Sequence, residues 1–120
     1  MPPAPFDATS RPTSEQLAKA AALPVQDKDG HPVPFGSLVS PVGSRTIVLF
    51  IRHFGCGLCQ DMVSFVASKL PPAALAAHGV RLVIVGNGSA GLIGPYRDLL
   101  ECPFEVYTDP SKGVYAALGM

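Results

Sequence analysis

The sequence has little charge, and neither sign is in excess. Its 120 residues include nine Lys plus Arg against nine Asp plus Glu, so the formal net charge is zero. The basic surface that nucleic acids or anionic membranes require is therefore not expected. The composition argues against a nucleic-acid or membrane partner.

Long hydrophobic runs are also missing. The longest apolar stretches, at residues 46–51 and 82–85, are far shorter than the roughly 20 residues that span a bilayer. The N-terminus has neither the basic start nor the continuous apolar segment of a secretory signal. We therefore expect a soluble protein in a reducing compartment, with a cytoplasmic location.

Cysteine is scarce, whereas proline is abundant. Three cysteines do not form the even-numbered framework of a disulfide-stapled secreted domain. The 13 prolines mark segment boundaries, and four of them lie within residues 1–12, where no apolar periodicity is present. This pattern predicts a flexible N-terminal arm over residues 1–12 and one domain over residues 13–120.

The remaining pattern predicts an α/β fold. Thr13 and Gln16 have the spacing of a capping box for a helix over residues 14–22, and Gly30 suits the turn of a following hairpin. Strands and helices then alternate, which indicates a central, mainly parallel sheet flanked by helices. The predicted strands are 46–51, 80–85 and 103–107, and the predicted helices are 58–70, 96–101 and 110–118, the last with Asp109 as N-cap and Pro110 as first residue. The apolar positions of helix 58–70 are Leu58, Met62, Phe65, Val66 and Leu70.

Two cysteines have a spacing with chemical meaning. Cys56 and Cys59 follow a buried strand and open a helix, so their side chains share one helix face. The free amides and the dipole at a helix N-terminus favour the thiolate of Cys56, which is the nucleophile. Cys59 then closes a local disulfide. We expect Cys56 to be the more acidic and more exposed thiol. One of Arg52 and His53 is a candidate to lower its pKa or to donate to a substrate oxygen.

Other kinds of site fit less well. Zinc needs four ligands, but beyond the pair the chain offers only Cys102, interpreted as an ordinary, partly buried small residue, and histidines without ligand spacing. Covalent haem attachment would need His at position 60, where Gln stands. The loop from Gly86 to Gly91 fits GxGxxG, but a dinucleotide-binding helix beginning there would place Pro95 in its interior, at a cost of about 3 kcal/mol.

Two segments resemble a known family. The run from Phe50 to Gln60, Phe-Ile-Arg-His-Phe-Gly-Cys-Gly-Leu-Cys-Gln, resembles the active-site segment of peroxiredoxin-like proteins in the alkyl hydroperoxide reductase and thiol-specific antioxidant group. The segment from Pro103 to Gly119 resembles their later strand, aspartate and helix. The resemblance implies a thioredoxin-like fold, Cys56 as the reactive cysteine, Cys59 as its partner, and no cofactor.

The resemblance also implies a reaction and its partners. The substrate is a peroxide or a disulfide, and the reductant is thioredoxin, glutaredoxin or glutathione. Typical members have Thr three residues before the reactive cysteine and Pro four residues before that, whereas this chain has His53 and Leu49. The hydroxyl that binds peroxide is therefore missing. A non-catalytic thioredoxin-like binding protein, or an inactive truncated product, is the alternative.

The end of the sequence carries one more expectation. Family members continue into two further strands and a helix, whereas this chain stops at Met120. The resemblance therefore implies a C-terminally truncated form. Strand 46–51 would become a sheet edge, which tends to recruit a second chain and predicts a homodimer or aggregation.

Overall fold

A five-stranded sheet organises the chain. The computed structural model describes residues 7, 9–39 and 45–120. The strands lie in the order β2-β1-β5-β4-β3, with bounds β1 Pro24–Gln26, β2 Pro32–Pro34, β3 Arg45–Phe50, β4 Val80–Gly86 and β5 Glu105–Thr108. The helices are α1 Ser14–Ala22, α2 Gly57–Lys69, α3 Pro72–Ala76, α4 Ile93–Leu100 and α5 Gly113–Ala117. The predicted α/β fold is confirmed.

The N-terminal elements follow their local signals. The Thr13 side chain accepts from the Gln16 amide, and the Gln16 side chain accepts from the Thr13 amide, so the predicted capping box is present. Strands β1 and β2 form the predicted antiparallel hairpin, in whose turn Gly30 has a φ of +80°. Most of the predicted arm, residues 1–12, lies outside the described residues.

Strand β4 divides the core into two halves. It pairs in parallel with β3 on one side and with β5 on the other. Successive side chains of a strand face opposite sides, and accordingly Leu82 and Ile84 join one core cluster while Val83 and Val85 join the other. Helices α2, α3 and α4 contribute to the first cluster, and α1 and α5 to the second. The cysteine pair lies in the first cluster.

Helix α2 turns a different face to the core from the one its apolar pattern indicates. Its fully buried positions are Cys59 and Val63, whereas Leu58 is 80% and Phe65 62% exposed. The sheet end fixes where the helix starts, and this start turns the cysteine face inward.

Further boundaries differ from the prediction: the helix predicted at 96–101 is Ile93–Leu100, and the strand predicted at 103–107 is Glu105–Thr108. Pro71 and Pro72 end α2 as expected, but Pro72 also opens α3, since proline is tolerated in the first turn of a helix. The last helix begins at Gly113 rather than Pro110. Asp109 is therefore not its N-cap, although its carboxylate reaches the helix by accepting from the amides of Val114 and Tyr115.

Strand β3 occupies one edge of the sheet, as expected. In the described part of the chain, no strand pairs with its outer side. Ile47 on this strand is 45% exposed. Within that same part of the chain, every helix is too short and too polar to cross a bilayer.

Candidate redox site

The cysteine pair lies where β3 gives way to α2. Cys56 is the N-cap residue of the helix, with extended backbone, and its Sγ accepts from the Cys59 amide at 3.4 Å. Cys59 is one turn further, and the two thiols are in hydrogen-bonding contact. The sequence-predicted pair is thus brought together at a helix N-terminus. All three cysteines are present as free thiols.

The surroundings of the two thiols push their acidities apart. The hydrogen bond that Cys56 accepts from the Cys59 thiol lowers the Cys56 pKa, and the Cys59 amide and the Arg52 charge lower it further. Burial raises the pKa of Cys59, and its hydrogen bond to Cys56 adds to that rise. The order agrees with the expected acidity. The expected difference in exposure is wrong, because Cys56 is 7% and Cys59 8% exposed.

Arg52 and His53 follow the strand and behave differently. The Arg52 backbone N–H donates to Cys59 Sγ at 3.5 Å, and its positive charge lowers the pKa of both thiols. The His53 Nδ1 atom accepts from the Gly55 amide at 3.1 Å, and the His53 carbonyl accepts from the Cys56 amide at 3.2 Å. Arg52 therefore acts on the thiols through charge, while His53 shapes the loop that presents Cys56. Whether either side chain is catalytic stays a prediction.

Phe54 lies in the sequence between His53 and Cys56, and its side chain packs in the same core cluster as the two cysteines. Its ring packs on Tyr96, with ring centroids 5.1 Å apart. A Cβ added at Gly86 would lie 2.6 Å from Phe54 Cε1. The loop that fits GxGxxG thus makes room for an aromatic side chain. A dinucleotide site would also need an exposed acidic residue about 20 positions further on, but Asp109, which stands there, is 1% exposed and bound to helix amides.

The third cysteine and one cluster of possible metal ligands both have structural explanations. Cys102 is buried more completely than expected, and burial raises its pKa, in agreement with its interpretation as an ordinary small residue. Asp27, Asp29 and His31 lie close enough to share a cation, but Asp27 Oδ1 already accepts from the amides of Asp29 and His31. Hydrogen bonds of the hairpin turn thus account for that cluster.

An open groove of about 350 Å³ lies at the end of β3, where Arg52 and His53 precede the cysteine loop. Arg52, His53 and Lys112 supply its polar lining, together with Phe50 and Tyr115. Sequence analysis did not single out Tyr115 or Lys112. No local signal marks them, because both come from the far end of the chain.

Comparisons with known proteins agree with the predicted family and fold. The family model described as AhpC/TSA antioxidant enzyme matches residues 68–120, a stretch that begins after Cys56 and Cys59. Peroxiredoxin-like 2C of Bos taurus is 40% identical over 98% of this chain and 51% of its own length. The thioredoxin-like protein AAED1, chloroplastic, of Arabidopsis thaliana is 34% identical over 78% of this chain and 36% of its own length. The chain spans about half the length of the Peroxiredoxin-like 2C relatives it matches.

Solved structures with the same fold include two kinds of thiol protein. Peroxiredoxin Q of Xanthomonas campestris superposes with a TM-score of 0.69 at 14% identity, over 92% of this chain and 64% of its own. A secreted disulfide oxidoreductase of Mycobacterium tuberculosis superposes with a TM-score of 0.61 at 17% identity, over 88% and 70%. At these identities the likeness establishes the thioredoxin-like fold.

Proposed function

Because this chain belongs to the peroxiredoxin-like proteins of the thioredoxin superfamily, we propose that it is a thiol-dependent antioxidant oxidoreductase that works through a Cys56–Cys59 dithiol/disulfide cycle. The observation that carries this proposal is the position of Cys56. Its sulfur caps α2, accepts from an amide and a thiol, and has a lowered pKa. These features favour the thiolate, which is the nucleophilic form.

With a peroxide as substrate, the cycle has two chemical steps. The Cys56 thiolate attacks one peroxide oxygen, the O–O bond breaks, and an alcohol or water leaves after taking up a proton. Cys56 becomes a sulfenic acid. The Cys59 sulfur then attacks the Cys56 sulfur, a disulfide forms, and the oxygen leaves as water.

With a disulfide as substrate, Cys56 attacks one of its two sulfurs. A mixed disulfide forms and one thiolate leaves. Cys59 then displaces the second thiolate and closes the same intramolecular disulfide. In both cases two electrons from an external thiol pair reset the site. We propose thioredoxin, glutaredoxin or glutathione as reductant in the cytoplasm. Arg52 and Lys112 line the groove at the end of β3, and they support glutathione, which carries carboxylates, as the first to test.

The experiment is oxidation followed by mass analysis. The reduced chain is treated with hydrogen peroxide or with oxidised glutathione, and intact mass and peptide maps are recorded. We expect the loss of two hydrogen atoms and a Cys56–Cys59 link. Cys59→Ser should arrest the reaction at a sulfenic acid or mixed disulfide on Cys56.

Cys102→Ser is the matched control. It removes a third buried thiol and should leave both the product and its rate unchanged. A dominant Cys56–Cys102 link, or sulfinic acid on Cys56 without any disulfide, would contradict the proposed cycle.

A non-catalytic binding protein is the second candidate. It is favoured by the near-complete burial of both thiols and by the exposed apolar side chains of Leu58 and Phe65 on α2, next to the pair. Quantified thiol reactivity separates the two functions. An enzyme requires Cys56 to react faster with oxidant than a free model thiol, whereas a binding surface does not.

A further inference from the structure

Tyr115 connects the last helix to the strand that leads into the redox site. Its side chain is buried beneath the sheet end. The hydroxyl oxygen lies 2.7 Å from the Ile51 carbonyl oxygen and 3.0 Å from the Val85 carbonyl oxygen, and its single proton is donated between the two, with Ile51 the nearer acceptor. The Val85 oxygen also accepts from the Ile51 amide at 3.0 Å, so the Ile51 carbonyl depends more on the tyrosine.

The Ile51 carbonyl and the Arg52 N–H belong to one planar peptide group. The oxygen side of this group accepts from Tyr115, and its nitrogen side donates to Cys59 Sγ at 3.5 Å. The Cys59 thiol in turn donates to Cys56. A continuous series of hydrogen bonds therefore runs from the Tyr115 hydroxyl to the Cys56 sulfur, and consecutive hydrogen bonds polarise and strengthen one another.

We propose that Tyr115 is a positioning residue of the thiol pair: its hydroxyl holds and polarises the peptide group between Ile51 and Arg52, and thereby the Cys59 thiol that stabilises the Cys56 thiolate. The inference rests on the proposed function in taking Cys56 as the nucleophile. It adds a residue 64 positions away from Ile51 to the support of that site.

Tyr115 is itself held in place at its backbone and at its ring. Its backbone amide and that of Val114 donate to the buried Asp109 carboxylate at 3.3 and 2.8 Å. Its ring meets Phe50 edge-on, with centroids 5.2 Å apart. Burial raises the pKa of Tyr115 well above its ordinary value. The group therefore stays a protonated donor while Cys56 titrates.

The test is Tyr115→Phe, which removes only the hydroxyl group. The Cys56 thiolate is titrated by its ultraviolet absorbance, and alkylation of Cys56 is timed at a pH below its pKa. We expect the Cys56 pKa to rise and alkylation to slow roughly twofold, the size that the loss of one cooperative neighbour implies. The Arg52 amide should also exchange its hydrogen faster.

Two controls separate positioning from general loosening. Tyr96→Phe removes the hydroxyl group of another buried tyrosine near the thiols, one without a hydrogen-bond partner among the described residues, and should leave the pKa unchanged. Val114→Ala removes packing from α5 beside Tyr115, and should lower stability without the pKa rise.

The outcomes distinguish this inference from the proposed function. An unchanged Cys56 pKa in Tyr115→Phe, or an equal rise in Val114→Ala or in Tyr96→Phe, would overturn the role of Tyr115. If instead Cys59 or Cys102 is alkylated before Cys56 in the unchanged protein, the proposed function fails first. A rise confined to Tyr115→Phe, with faster exchange at Arg52, supports the inference.

Discussion

Gly86→Ala tests whether the glycine loop exists to admit Phe54. Gly86 ends β4 and is buried. A Cβ at this position would lie 2.6 and 2.9 Å from two ring carbons of Phe54 and 3.1 Å from Ile51 Cδ1. Carbon atoms in normal contact are about 3.5–4.0 Å apart. The ring must therefore move by nearly the full difference.

The expected loss follows from overpacking. Forcing an extra methyl group into a packed core costs about 1–3 kcal/mol, and Phe54 cannot swing away freely because Tyr96 packs on its ring. For a domain of this size each kcal/mol lowers the melting temperature by about 4 °C. Gly94→Ala is the matched control, since a Cβ there meets nothing within 4 Å, and we expect it to be neutral or slightly stabilising.

The assay is urea unfolding of both variants, together with the Cys56 alkylation rate. Phe54 is two residues from Cys56, so its displacement should disturb the loop that presents the thiol, and Gly86→Ala should change that rate while Gly94→Ala does not. Equal stability of the two variants would refute the packing argument. If the unchanged protein binds a dinucleotide and Gly86→Ala abolishes that binding, the dinucleotide-binding interpretation of the loop would be favoured instead.

Three further predictions concern the buried carboxylate of Asp109, the pH dependence of Cys56, and the unpaired edge of β3. Asp109→Ala should cost about 3 kcal/mol in the free energy of unfolding, because two buried amides lose their acceptor, and Asp109→Asn should cost less. The control is Asp98→Ala at an exposed position, and similar losses in all three variants would contradict this. The pKa of Cys56 is lowered and that of Cys102 is raised, so the thiolate fraction of Cys56, and with it the alkylation rate, should increase at a lower pH than for Cys102. Peptide mapping of alkylation against pH measures both rates, and coincident pH profiles would contradict the prediction. The open edge of β3 should pair two chains, so sedimentation should show a dimer that Ile47→Lys converts to monomer; a monomer at every concentration before the substitution would refute this.

Local signals were sufficient where one interaction dominates. The capping box at Thr13 and Gln16 needs only neighbouring residues, and helix α1 has the predicted bounds. Strand β4 is marked by a continuous apolar run, because both of its faces are buried. The position of the cysteine pair also follows from local rules, since a strand, a glycine and a helix in succession leave little freedom.

Long-range packing decided the rest. The apolar spacing of α2 includes Leu58 and Phe65, yet the helix buries Cys59 and Val63. The reason is that the end of β3, rather than the apolar pattern of the helix, sets the rotation of α2 about its own axis. The start of α5 moves from Pro110 to Gly113 for a similar reason. The Asp109 carboxylate binds amides five and six residues ahead of it, a longer reach than a normal N-cap.

This chain has His53 where typical family members have Thr, and the difference bears on which oxidant suits this site. Stabilisation of the Cys56 thiolate comes from the helix end, from Cys59 and from Arg52, and none of these depends on the substrate. Peroxide reduction also requires a donor to the oxygen that leaves, and the family hydroxyl is replaced here by imidazole. The His53 Nδ1 atom accepts from the Gly55 amide, so this ring nitrogen is already bonded to the backbone and Nε2 is the one that can meet a substrate. His53 is exposed and lines the groove at the end of β3, so a bulky hydroperoxide or disulfide can reach its side chain from the solvent side.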